Sequence, residues 1–145
     1  MLELNKMEQL HISAKVEASA SHTWNCYTDP KHIVGWNFAD PSWCCPWAEN
    51  DLRVGGSYTA RMEAKDGSFG FDFGGIYDRV EQGTLLAYHL GDDRKVEVRF
   101  SATEDGGCLV ETDFDPESQN PIEMQQAGWQ MILNNFKTYC ENNAE

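Results

Sequence analysis

Five cysteines, Cys26, Cys44, Cys45, Cys108 and Cys140, and four histidines are the side chains here with the widest chemical reach, as nucleophiles, metal ligands or redox partners. The adjacent pair Cys44-Cys45 with His22 or His32 raises zinc, but structural zinc draws four ligands, usually in pairs whose members are two to four residues apart. Neighbouring cysteines do not give that chelate, so no metal site is expected. An odd number of cysteines without a secretory leader argues against a disulfide framework. Free thiols are expected, with one of the Cys44-Cys45 pair packing inward as a small hydrophobe while its neighbour faces out. Acid–base chemistry would need only one carboxyl or imidazole with a shifted pKa in a pocket, and Glu111 and His89 are the candidates. No nucleophile elbow, paired metal motif or phosphate-binding glycine loop is present; Gly55-Gly56 and Gly74-Gly75 read as strand bends, not as a G-x-G-x-x-G turn. No cofactor is implied, binding without catalysis is the leading reading, and a cavity enzyme is an alternative.

The elements that must position these residues follow from periodicity. His11 to Glu17 alternates, with Ile12, Ala14 and Val16 on one face, as a half-buried first strand does. Ser21 is a candidate cap for a short helix carrying Trp24 and Tyr27. Thr28-Asp29-Pro30 ends that helix, and Pro30 opens a second through Ile33 and Trp36. From Asn37 to Asn50, Pro41 and Pro46 break the chain, and Phe38, Trp43 and Trp47 mark a loop packed over the core or over the mouth of a cavity. Strands then recur at turn signals. Tyr58, Ala60 and Met62 share a face after Gly55-Gly56. Lys65-Asp66-Gly67 turns the chain into Ser68 to Arg79, where Phe69, Phe71 and Phe73 alternate and Gly74-Gly75 predicts a bulge or bend. Thr84 to Leu90, Lys95 to Ala102 and Leu109 to Phe114 complete the meander. Asp115 to Pro121 connects to a final helix, with Asn120 as cap, Pro121 at the first helical position and Glu123 closing a capping box. Trp129, Leu133, Phe136 and Cys140 form its apolar stripe.

Composition limits what this plan can do. At 145 residues, 41% hydrophobic, the chain suits one domain, residues 1–145, with one core. Lys and Arg total 11 against 24 Asp and Glu, and a net charge of −13 repels phosphate backbones and anionic lipid. Nucleic acid and membrane are not expected partners. Neither a signal peptide nor a membrane span is evident, so a cytoplasmic location is expected, as a monomer or weak dimer. Inward-pointing polar groups on the strands would need partners, while Asp72, between Phe71 and Phe73, should face outward.

Four pieces carry a family resemblance: Tyr27-Thr28-Asp29-Pro30 with Trp36; Asp51-Leu52-Arg53-Val54-Gly55-Gly56; Met62 through Asp66-Gly67 to Phe73-Gly74-Gly75 and Tyr77; and Gly128-Trp129 with Leu133 and Phe136. In this order they resemble the bacterial domains similar to the activator of the ninety-kilodalton heat-shock protein's ATPase, within the START-like, Bet-v-1-like superfamily. The resemblance implies an α+β helix-grip fold: a seven-stranded curved antiparallel sheet wrapped around a long C-terminal helix, two short helices after strand 1, and a cavity between sheet and helix. A curved sheet and a straight helix are poorly matched surfaces, and large side chains or a guest must fill the gap. The expected occupant is a small hydrophobic, aromatic or lipid-like molecule. Its expected contacts are Trp36, Phe38, Trp43, Arg53, Tyr58, Phe71, Phe73, Tyr88, Met124, Gly128 and Met131. For Arg53 a loop-fixing salt bridge is the alternative, for Gly128 a close helix-to-sheet contact, and for Met124 and Met131 plain core packing. Tyr58, Tyr77 and Tyr88 would offer hydroxyls. The family name also suggests a co-chaperone or stress-response interaction domain, with a chaperone as partner; eukaryotic activators that resemble this domain carry an additional N-terminal domain that engages the chaperone.

Overall fold

In the computed structural model, which describes residues 8–143, strand β1 (Leu10–Val16) lies beside the last strand in sequence. Residues 1–7, part of the stretch read for a leader, lie outside the described residues. After β1 come helices α1 (Ala20–Thr28) and α2 (Pro30–Ile33), then strands β2 (Trp43–Cys44), β3 (Ala48–Asn50), β4 (Ser57–Ala64), β5 (Gly70–Glu81), β6 (Leu85–His89), β7 (Lys95–Ala102) and β8 (Cys108–Phe114), and helix α3 (Ile122–Asn142). One antiparallel sheet runs β1-β8-β7-β6-β5-β4-β2, with β3 also on β4. This is the α+β helix-grip architecture, a curved sheet closed on one side by α3. Among the described residues no helix is long and apolar enough to cross a membrane.

Among the described residues the sheet is a path of seven strands with an eighth, β3, beside it on β4, because the proline-broken stretch supplies two short ones. Trp43 and Cys44 pair with Ala64 and Glu63, and Ala48 to Asn50 pair with Ala60 to Tyr58. Pro46 falls between them, where no ladder bond is required of it. Cys45 is buried and Cys44 only partly so, and all five cysteines are free thiols.

Alternation does the sorting. Val96, Val98 and Phe100 of β7 and Val110, Thr112 and Phe114 of β8 point into the core. Their neighbours form a charged outer face, where Arg99 bridges Glu97 and Asp113, and Arg61 bridges Glu63 and Asp72. Gly74 and Gly75 do not form the predicted bulge: they stay in register opposite Thr59 and Tyr58, and the irregularity comes later, between Tyr77 and Arg79. Their glycine character answers a close approach of strands instead. A Cβ on Gly74 would stand 1.9 Å from the Tyr58 carbonyl oxygen, and one on Gly75 would stand 2.3 Å from that of His89.

Both predicted caps are corrected. Ser19, not Ser21, caps α1, its hydroxyl accepting from the His22 amide at 3.1 Å. At α3, Pro121 is itself the cap residue and no side-chain cap forms, because the Asn120 side chain donates back to Glu117. The Gln125 side chain takes over the fastening, accepting from the Glu117 amide and donating to the Glu117 and Asn120 carbonyls. Further along α3, Gln126 and Gln130 donate to the His11 and Ser13 carbonyls, and Glu141 accepts from the Glu17 amide. Alternate groups on the open edge of β1 are thus occupied by helix side chains, which hides an edge otherwise available for pairing.

Candidate functional site

The helix cannot follow the sheet's curvature throughout, and a cavity of about 170 Å³ remains between them. Its floor is Ile12 of β1, Thr112 of β8, Tyr88 of β6, Phe71 and Phe73 of β5, and Tyr58 and Met62 of β4. Its roof is Trp129, Ile132 and Leu133 of α3, and Tyr27 of α1 with Trp36 and Asn37, just after α2, closes it. The aromatic walls brace one another. Trp129 stacks on Phe114 with centroids 3.9 Å apart and meets Phe73 edge-on at 5.9 Å, while Tyr58 stands edge-on to both Phe73 and Tyr88.

Polar atoms interrupt these walls at few points. Asn37 donates its Nδ2 hydrogen to the Tyr58 hydroxyl at 2.8 Å, which leaves the tyrosine's own proton to be given elsewhere. Just outside the lining, Tyr77 donates to Asn50 Oδ1 at 2.7 Å. Burial pushes the Tyr27, Tyr58 and Tyr88 phenols up, so all three stay protonated. The hydroxyls of Tyr27, Tyr88 and Thr112 make no hydrogen bond among the described residues, and no fully buried side-chain oxygen there lacks a partner. Those oxygens therefore keep some exposure, and all three residues belong to the lining.

Five of the expected contacts, Trp36, Tyr58, Phe71, Phe73 and Tyr88, come together in this lining. Trp43 stands outside it, edge-on to Phe71 and Phe69; Phe71 is 39% exposed and Phe69 61%, so the phenylalanine row runs from the interior out to an exposed aromatic lip. Phe38 packs on the core, where its carbonyl accepts from Asn135. Arg53 lies in an exposed loop, 71% exposed at the side chain and paired with Asp51 two residues away, so it makes the alternative salt bridge. Met124 and Met131 are 60% and 47% exposed on another face of α3. Gly128 shares that face, four residues from Met124 and three from Met131, and a Cβ on it would meet nothing within 4 Å. Neither a core role for the methionines nor a close contact for the glycine is found.

The residues that sequence reasoning left out are instead Ile12, Tyr27, Asn37, Met62, Thr112 and the α3 stripe beginning at Trp129. Thr112 carried a usable signal, as a polar residue at an inward position between Val110 and Phe114. The acid–base candidates are elsewhere: His89 pairs with Asp78 on the outer face, and Glu111 lies near His11 there. One consequence concerns α3 alone. Gly128→Ala is expected to stabilise the domain by about 0.5–1 kcal/mol in urea unfolding, since helix propensity is gained with no clash; a loss of stability would mean that something packs closely on this glycine.

An α+β helix-grip domain enclosing an aromatic, hydroxyl-bearing hollow is a recognisable class of protein. The family described as Activator of Hsp90 ATPase homolog 1-like protein matches over residues 17–141, and the chain belongs to this family. It is similar to an AHSA1-like protein from Aeromonas hydrophila, known from a solution structure, at 42% identity with 92% of each chain covered and a TM-score of 0.86. A protein from Cytophaga hutchinsonii is 45% identical over 93% of each chain, with a TM-score of 0.79. A crystal structure from Chromobacterium violaceum, 21% identical over 93% of this chain and 99% of that one at a TM-score of 0.81, is alike in fold. No curated protein matches the chain.

Proposed function

We propose that this domain is a non-enzymatic carrier or sensor that binds a small molecule with one aromatic ring and one or two polar substituents between sheet and α3. The observation behind this reading is the cavity itself, about 170 Å³ with three hydroxyl-bearing residues whose oxygens have no partner among the described residues. Engineered apolar cavities of roughly 150 Å³ take up benzene, so this volume suits a single ring and is too small for a lipid chain. Buried tyrosine hydroxyls ordinarily find partners, and here a guest would supply them. Binding is favoured over catalysis because tyrosine is the only titratable type in the lining, which has no carboxylate, imidazole, amine or thiol.

A thermal-shift and tryptophan-fluorescence screen tests this. Phenols and indoles at about a hundredfold excess over Kd should add roughly 2.7 kcal/mol, or about 5–10 °C in Tm, and perturb Trp36 and Trp129. Fatty acids should do neither. If no one-ring compound moves either signal, the reading fails.

A second reading has its own observation. Exposed Phe69 and Phe71, with half-buried Trp43 edge-on to them, form an apolar patch of the kind proteins use for contacts, and the family's name points to a chaperone. An ATPase assay with the organism's own chaperone would separate the two; a rate unchanged at saturating protein excludes activation.

A further inference from the structure

Away from the cavity, on the other side of α1, lies a cluster that neither reading uses. His22 and Cys26 stand four residues apart on α1, so one helix turn brings their side chains to the same face. Cys140 of α3 meets them from across the interface. The His22 Nε2, Cys26 Sγ and Cys140 Sγ atoms all lie within 4.8 Å of one another, with Nε2 and the Cys26 sulfur 3.4 Å apart. Cys26 and Cys140 are fully buried and His22 nearly so. Bonds of about 2.3 Å to sulfur and 2.0–2.1 Å to nitrogen place the donors around one ion roughly 3.5–4.0 Å from each other. The 3.4 Å edge must open slightly, and any edge near the 4.8 Å bound must close by under about 1 Å.

We propose that His22, Cys26 and Cys140 form a closed binding site for a thiophilic d10 ion, Zn²⁺ or Cu⁺, that clamps α1 to α3. Two thiolates and an imidazole are the donors that soft ions select. Three suffice for Cu⁺. Zn²⁺ takes a fourth, and the oxygens at hand are the Thr23 hydroxyl, 3.9 Å from the Cys140 sulfur, and the Cys140 carbonyl, 3.3 Å from His22 Nε2. Nε2 is the ring nitrogen that faces the Cys26 sulfur and the Cys140 carbonyl; since a carbonyl only accepts, the proton Nε2 gives it must move to Nδ1 before Nε2 can ligate, with no turn of the ring. Sulfur ligates as thiolate, so the ion must displace both thiol protons, and binding releases them to solvent. The clamp also reaches toward the cavity: the Cys26 carbonyl accepts from the Trp36 indole, and Tyr27 follows in sequence, both lining residues.

The test uses the intact reduced chain. It is equilibrated separately with Zn²⁺ and with Cu⁺ buffered by competing chelators, desalted, and assayed for metal by mass spectrometry. Retention of about one ion per chain, with a rise in Tm, is expected for at least one of the two. His22→Gln, Cys26→Ser and Cys140→Ser should each weaken retention a hundredfold or more, while a Cys44→Ser/Cys45→Ser double variant should keep it. X-ray absorption of the loaded wild type reads the ligands without any variant. A shell containing two sulfurs and an imidazole supports the site even where a variant fails to fold. Retention equal to that of a Cys26→Ser/Cys140→Ser chain, a shell of other composition, or a Cys26–Cys140 disulfide forming in place of metal uptake would overturn it.

Discussion

Phe136→Ala should lower the unfolding free energy by about 3–5 kcal/mol, the usual cost of removing a buried phenylalanine and leaving its cavity. Phe136 is 0% exposed, and its ring is edge-on to Tyr27 at 5.1 Å and to Trp36 at 5.0 Å. It therefore joins three separately folded pieces, α1, the segment after α2, and α3, and no alternative side chain can collapse into its place without moving all of them. Against the roughly 5–15 kcal/mol that holds a domain of this size together, the loss leaves a marginal fold. Met131→Ala, five residues back on the exposed face of the same helix, should stay within about 0.5 kcal/mol. Urea unfolding of both variants checks the pair. Equal effects would mean that α3 does not present the Trp129, Leu133 and Phe136 face to the sheet.

That helix shows how far sequence reaches in this protein. Its apolar stripe was legible, because burial of Leu133, Phe136 and Cys140 imposes a helical period on the sequence. The strands β1, β7 and β8 were legible for the same reason, since a sheet with one wet face writes polar and apolar residues in alternation. What failed was anything decided by a distant partner. β2 and β3 exist only because β4 offers them an edge. Gly74 and Gly75 suggest a bulge locally, yet their role is to let the Tyr58 and His89 carbonyls approach. Asn120 has the chemistry of a cap, but Glu117 competes for its side chain. Site residues divided likewise: the large aromatics Trp36, Phe71 and Phe73 declared themselves. Met124, Gly128 and Met131 lie on a helical face turned by about 100–160° from Trp129, away from the lining. Arg53 was drawn in by its motif, whereas its carboxylate partner Asp51 stood two residues away in that same motif.

The cavity itself is the feature most open to a decisive change. Space that side chains leave unfilled forfeits packing, and about 170 Å³ of it lies between the sheet and α3. Ile132 is partly buried on α3 and borders that space, so Ile132→Trp would direct an indole into it. In a filled core such an enlargement costs about 1–3 kcal/mol through strained rotamers and displaced backbone. Here the added ring has somewhere to go, and the variant should be at least as stable as the parent without ligand. Its response to a one-ring phenol should vanish, a loss of about 2.7 kcal/mol of ligand-linked stabilisation at a hundredfold excess over Kd. Met131→Trp, adjacent in sequence but on the exposed face, should retain the full response. An Ile132→Trp chain that is destabilised yet still gains several degrees from phenol would show that the guest binds elsewhere. A chain destabilised and unresponsive, with Met131→Trp intact, would mean that the guest binds there but that the cavity takes the larger indole only with strain.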